Sequence, residues 1–257
     1  MVKKIGGLPY FTFGTIVCIL ILLYVVYILV KVWSRRPTID IVVARYEEDL
    51  SWLHNILPEE YGNLYIYNKG SPLNINIPNS HVIQLPNLGR ECHTYFHHVI
   101  ANYNNLPNIT LFIPGSTWTR FDKRVRFLRV LNHIKLRGES TIPGYSSKDY
   151  INSQQDFEVD NYEITNPENR KSNSDNSLHR SAERPLNKWF EKNFPGEKLT
   201  CMSFTGIMAA TDTGIRKRPV EFYKRLLDEV SYTNPETCHY YERTWKNIFS
   251  IDRCLEE

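Results

Sequence analysis

From Tyr10 to Trp33 the chain reads YFTFGTIVCILILLYVVYILVKVW, an almost uninterrupted apolar run. As a helix it would extend roughly 36 Å, more than the hydrocarbon core of a bilayer, so the sequence predicts a membrane-spanning segment. A cleaved leader would carry a shorter apolar region and a small-residue cleavage site. This one ends in Val32 and Trp33 followed by Ser34, Arg35 and Arg36, which marks an uncleaved signal anchor. Lys3 and Lys4 before it balance Lys31, Arg35 and Arg36 after it, so flanking charge leaves the orientation open. The expected organisation is a tail (1–9), a transmembrane anchor (10–33), a stem (34–38), one α/β domain (39–249) and a C-terminal tail (250–257). The lipid bilayer is then a partner through residues 10–33.

Two features favour a single-pass, type II arrangement with the C-terminal domain lumenal or external. One is the glycosylation triplet Asn108-Ile109-Thr110, with Asn108 as acceptor. The other is the four cysteines outside the anchor, Cys92, Cys201, Cys238 and Cys254. Four thiols allow three pairings, and Cys238 with Cys254 is the first to test. The net charge of +3 is too small for an electrostatic nucleic-acid footprint, and no nucleic-acid-binding motif is present.

Beyond the stem, Ile39 to Ala44 is a β-branched apolar run, the pattern of a strand buried on both faces of a parallel sheet. Leu50, Trp52, Leu53, Ile56 and Leu57 then recur at helical spacing. Further strands are predicted at 64–67, 81–85 and 109–113, with a helix from Arg90 to Tyr103. This alternation predicts a Rossmann-like, mainly parallel sheet. In such sheets ligands sit beyond the carboxyl ends of the strands, here Arg45–Asp49, Asn68–Ser71, Asn87–Glu91 and Pro114–Thr117. A polar insert, 144–184, is expected to be mobile from Asn166 to Ser181. Later helices are predicted at 186–194 and 219–230, with a last one capped by Asn234 and carrying His239, Glu242 and Trp245.

Gly89-Arg90-Glu91 opens a helix directly after a strand, so free backbone N–H groups and a guanidinium converge where a phosphate could bind; a plain turn with a solvated Arg90 is the simpler alternative. His93 and His97 are four apart on one helical face, which raises a zinc site, packing among polar neighbours, or substrate contact. No third ligand and no His-Glu-x-x-His pattern accompany them. The helix at 120–137 is strongly basic, with Phe121, Val125, Leu128 and Leu131 as its expected core stripe and a solvated, diphosphate-facing or membrane-facing charged side. P-loop, nucleophile-elbow and dinucleotide-fingerprint motifs are absent from the sequence.

The blocks VVARYEEDLSWL (42–53), YIYNKGS (65–71), LPNLGRECHTYFHHVIANYNNLPNITLFIPGS (85–116), RPVEFYKRLLDEV (218–230) and HYYERTWKNIF (239–249) resemble, in order, the domain-of-unknown-function family 3431. More widely, a strand ending in Asn68-Lys69-Gly70-Ser71 and the Asn87-Leu88-Gly89-Arg90 turn opening a helix are similar to the nucleotide half of A-type glycosyltransferases. Phe204-Thr205-Gly206 through Phe222-Tyr223 looks like their acceptor side. The resemblance implies donor contacts from Arg45, Asp49, Asn68, Lys69, Gly70, Asn87, Gly89 and Arg90, and substrate contacts from Glu91, His93, His97 and His239. Such enzymes carry an Asp-x-Asp after the fourth strand to hold a divalent metal, and here Ile113-Pro114-Gly115-Ser116 stands there. No divalent-metal motif, and no other cofactor, is identified. Either transfer is metal-independent, with Arg90 and the basic helix neutralising the leaving group, or the chain is not a transferase. An inverting transfer needs a carboxylate base, and Glu242 is the candidate, with a structural network around Glu242, Arg243 and Trp245 as its bland counterpart. The expected function is a glycosyltransferase-like enzyme with a nucleotide-sugar donor and a glycan acceptor. The alternatives are a non-catalytic binding protein on the same scaffold and a metal-dependent hydrolase built on His93 and His97.

Overall fold

The computed structural model describes residues 10–33, 37–57, 61–161 and 178–257. Two compact units emerge, residues 1–37 and 38–257. Lys3, Lys4, Arg35 and Arg36, and the expected mobile stretch up to residue 177, lie outside the described residues.

In the first unit, α1 runs Tyr10–Trp33. Its side chains are described over 14–27, where Leu20, Leu22 and Tyr24 are exposed. That stretch is shorter than a bilayer core, and among the described residues no helix is long and apolar enough to cross a membrane.

The second unit is an α/β fold on a seven-stranded sheet. Its strands are β1 (Ile39–Arg45), β2 (Leu64–Asn68), β3 (Ser80–Gln84), β4 (Ile109–Pro114), β5 (Thr141–Gly144), β7 (Met208–Thr211) and β9 (Arg253–Glu256). The two-residue strands β6 (Leu178–His179) and β8 (Asn234–Pro235) pair separately. Sheet order is β3-β2-β1-β4-β7-β5-β9, with β7 antiparallel to both of its neighbours and the other pairings parallel. The residues expected to form a C-terminal tail thus supply an edge strand.

Among the described residues, the α-helices that join these strands around two cores are α2 (Leu53–Ile56), α3 (Arg90–Asn102), α4 (Phe121–Arg137), α5 (Lys148–Ser153), α6 (Leu186–Asn193), α7 (Asp212–Ile215), α8 (Val220–Glu229) and α9 (Thr237–Ile248). Every residue of β1 is buried. Alternate side chains serve opposite faces: Val42 and Ala44 join Phe96, Tyr223, Trp245 and Phe249 of the α3, α8 and α9 side. Ile41 and Val43 join Phe127, Val130, Leu131 and Ile134 of α4.

Three expectations change. On α4 only Leu131 of the predicted core stripe is buried, whereas Phe121, Val125 and Leu128 are exposed. The sequence offers two apolar faces on this helix, and the one around Phe127 and Ile134 meets the sheet. Asn234 does not cap α9, because Asn234 and Pro235 pair with Leu178 and His179 and the helix begins only at Thr237. The 50–57 helix shrinks to the short turn Leu53–Ile56.

Cys201 and Cys254 form the disulfide, with Cα atoms 6.1 Å apart. Cys238 was the expected partner of Cys254, yet it is buried in the first turn of α9, where its thiol donates to the Gly89 carbonyl at 3.2 Å. The sheet brings β9 beside β5, next to Cys201.

Candidate functional site

The chain passes from β1 outward to β2 and β3, then returns to lay β4 on the other side of β1. Such a reversal opens a crevice at the carboxyl ends of the two strands. A cavity of about 480 Å³ lies there, and Arg45, Lys69, Asn87, Arg90, Glu91 and Glu242 line it together with Glu48, Ser116, Arg120, Lys123 and Phe204.

Close backbone approach shapes the turns that carry its lining residues. A Cβ on Gly70 would stand 1.9 Å from the Tyr46 carbonyl, so only glycine lets the β2 turn nest against the β1 turn. Gly89 has φ +54°, and a side chain there would meet the Val230 carbonyl at 2.2 Å. Arg90 follows with φ +47°, a conformation non-glycine residues seldom hold. These two residues aim the start of α3 and the Arg90 guanidinium, which donates to Asn234 Oδ1 at 3.2 Å.

The cations deeper in the site are held by carbonyls. Arg45 donates to the backbone oxygens of Tyr46, Glu48 and Ser71 and to Asn68 Oδ1 at 2.5 Å. Lys69 donates to the backbone oxygens of Leu88 and Arg90, and burial lowers its pKa to about 8. Arg45 also lies 3.9 Å from the exposed Glu47 carboxylate; a carbonyl satisfies a donor without cancelling its charge, so Lys69 projects positive potential into the cavity. Lys123 donates to Ser116 Oγ at 2.8 Å at the end of β4, and Arg120 pairs with Asp122 at 3.0 Å.

Five cations therefore face three carboxylates, Glu48, Glu91 and Glu242. Glu242 is raised from 4.5 to about 8, first by burial and then by Glu91, against the pull of Arg90, Arg243 and Lys123. Its side chain keeps 19% exposure, enough to meet a ligand. A carboxyl titrating close to neutral pH can both take and return a proton.

The remaining candidates do not line the cavity, although His239 Nδ1 lies 3.8 Å from Glu242 Oε2. Asp49 is exposed and accepts from Ser51 N and Oγ, capping the turn before α2. Asn68 is buried and binds the Ser71 carbonyl at 2.8 Å and Gln84 Oε1 at 2.9 Å, so it shapes the β2 turn and holds Arg45. Gly70 and Gly89 act through the backbone. His93 and His97 stack at 6.4 Å outside the cavity lining, and burial lowers both, His93 to about 4. His239 is lowered to about 3 by burial and by Arg90 and Arg243. Among the described residues no group of three or more His, Cys, Asp or Glu could hold a metal ion. Asn108 is exposed at the start of β4, where its Oδ1 accepts from Thr38 N at 2.9 Å.

Sequence reasoning did not name Glu48, Ser116 and Lys123 individually as site residues, and it placed Phe204 in the segment that resembles an acceptor side. Glu48 and Ser116 lie in the segments that end β1 and β4, so the strand-end rule already contained them. Lys123 and Arg120 were legible only as part of a basic helix.

Fold and cavity together define an α/β protein with a mixed, mostly parallel sheet and an anion-attracting crevice at its switch point. The chain belongs to the family described as protein of unknown function (DUF3431), whose profile matches residues 41–256. Curated proteins give no match.

Proposed function

We propose that this chain is a membrane-anchored, glycosyltransferase-like enzyme that takes a nucleotide-sugar donor in the cavity between the ends of β1 and β4. The observation that carries this reading is the charge arrangement there: five cations, with Lys69 held by backbone oxygens, beside a carboxyl that titrates near neutrality. A donor diphosphate fits the cationic side. Arg90, Lys123 and the N-terminus of α3 neutralise the leaving group, with Lys123 at the end of β4 in place of an acidic metal-binding pair. Glu242 takes the proton of an acceptor hydroxyl as that oxygen bonds to the anomeric carbon and the nucleoside diphosphate departs. The apolar run 10–33 supports the anchor, and the Cys201–Cys254 disulfide supports a lumenal or external domain.

The test is a thermal-shift and turnover screen of the full chain against nucleotide sugars, with and without EDTA. A donor at 100 times its dissociation constant stabilises the fold by about 2.7 kcal/mol. The reading requires stabilisation that survives EDTA, falls in Arg90→Ala, and is accompanied by release of nucleoside diphosphate. Binding without release identifies a non-catalytic binding protein, and a folded chain that no donor stabilises refutes both.

A further inference from the structure

Helix α4 carries two apolar faces, and only one is used by the fold. Phe127, Val130, Leu131 and Ile134 enter the core. Phe121, Val125, Leu128 and Leu136 recur at one helical face and remain 76%, 39%, 47% and 71% exposed. On a helical wheel Arg124 and Lys135 flank this stripe on one side and Arg129 on the other. Arg124 lies over the Trp118 ring at 5.3 Å, and Arg129 donates to the Glu256 carbonyl at 2.7 Å, so neither charge is cancelled by a carboxylate there. Of the acidic groups at this helix, Asp122 pairs with Arg120 and Arg126, Glu257 also pairs with Arg126, and Glu139 lies 3.4 Å from His133. Lys135 and Arg137 are exposed.

From this pattern we infer that the outer face of α4 is an interfacial surface that docks on an anionic phospholipid bilayer. A narrow apolar stripe with basic side chains along both edges places hydrocarbon at the acyl boundary and cations at headgroup depth. Charge complementarity selects the occupant: basic edges match the phosphates and carboxylates of anionic lipids. The inference rests on α4 itself and requires neither the anchor nor the enzymatic reading. It does add a consequence, since Arg120 and Lys123 of the same helix line the cavity, and docking would hold that cavity close to the membrane surface.

The test uses the full chain carrying Cys18→Ser, with Phe121→Cys, Leu136→Cys or, as control, the exposed Lys188→Cys, each labelled with an environment-sensitive fluorophore. Cys92 and Cys238 are buried, and Cys201 and Cys254 are paired. Vesicles of phosphatidylcholine alone, or with phosphatidylserine, carry a nitroxide-lipid quencher. Labels at 121 and 136, but not 188, should be quenched on phosphatidylserine vesicles and much less on phosphatidylcholine. Each basic side chain contributes roughly fivefold to docking, so Arg124→Gln/Arg129→Gln/Lys135→Gln should weaken it by roughly a hundredfold while circular dichroism stays unchanged. Flotation with vesicles but equal quenching at all three positions would overturn the inference and leave the anchor standing. A blue shift that follows protein density instead of lipid charge would assign the stripe to a second copy of the chain. Failure to float with anionic vesicles would refute the docking outright.

Discussion

Replacing Glu242 by Gln separates a working carboxyl from a merely packed one. In the folded protein this group titrates near 8, against 4.5 for a free side chain, chiefly because it is buried and secondly because Glu91 shares its surroundings. The sign follows from proton counting. Between 4.5 and about 8 the folded state holds a proton that the unfolded state releases, so stability is fully present below 4.5 and declines as pH rises. At about 1.4 kcal/mol per pH unit, the ceiling is about 5 kcal/mol. With 19% of the side chain open to solvent and the effect shared with Glu91, about 2 kcal/mol is the working figure. The Gln variant cannot ionise and escapes this loss. For a unit of this size that is about 4–8 °C in Tm at pH 8 and almost none at pH 4.5. The assay is a thermal melt of both proteins from pH 4.5 to 9, beside turnover of the donor found in the screen. Parallel stability curves would refute the shifted carboxyl. A diverging pair with full turnover in Glu242→Gln would keep the electrostatics and remove the catalytic role.

Other predictions follow from the same contacts. Reduction, or Cys254→Ser, opens a bridge spanning 53 residues, which by loop entropy removes about 4 kcal/mol; a non-reducing peptide map containing Cys238–Cys254 instead would contradict the fold at β9. Arg90→Ala should weaken nucleotide binding roughly tenfold or more, as expected for a lost charge-assisted hydrogen bond, by an amount that EDTA does not alter in titration calorimetry. Gly70→Ala forces a methyl group against the Tyr46 carbonyl and should cost about 1–3 kcal/mol by denaturant melt, with loss of donor binding because the Arg45 and Lys69 turns move. Glu236 is fully buried, accepts from Val159 N and Ser181 N at 3.0 Å and pairs with Arg184 at 2.9 Å. Glu236→Ala should therefore destabilise the domain by about 3–5 kcal/mol in the same melt.

The sheet was legible because its signal is local. Ile39–Ala44 and Ile109–Ile113 are β-branched runs long enough to be strands and too short to be helices, and they fall within one residue of β1 and β4. The rule that ligands sit beyond strand ends then pointed to the end of the sheet where the cavity lies. Pairings between distant segments were not legible. β7 and β9 are four-residue strands whose identity comes from their neighbours, Cys254 finds Cys201 only after β9 has joined β5, and α4 offers two apolar stripes of similar composition. Which stripe faces the sheet is decided by tertiary packing, and periodicity alone has no access to it.

The same distinction explains which candidate residues reach the cavity. Asp49 and Asn68 are short polar side chains in tight turns, where their own backbone satisfies them first, through Ser51 in one case and Gly70 and Ser71 in the other. Arg45, Lys69 and Arg90 are long enough to pass beyond the turns at which they stand, and Glu242 reaches the cavity from α9. Lys69 shows what that reach entails, because it is desolvated and satisfied by backbone oxygens, leaving its charge unbalanced where it enters the crevice. Folding alone could have removed that unbalanced charge with a neutral residue of similar volume. A fold that keeps such a cation in a crevice with four others is suited to meeting an anion; on the proposed reading that anion is the donor diphosphate, and the ionised form of Glu242 takes its proton from the acceptor hydroxyl.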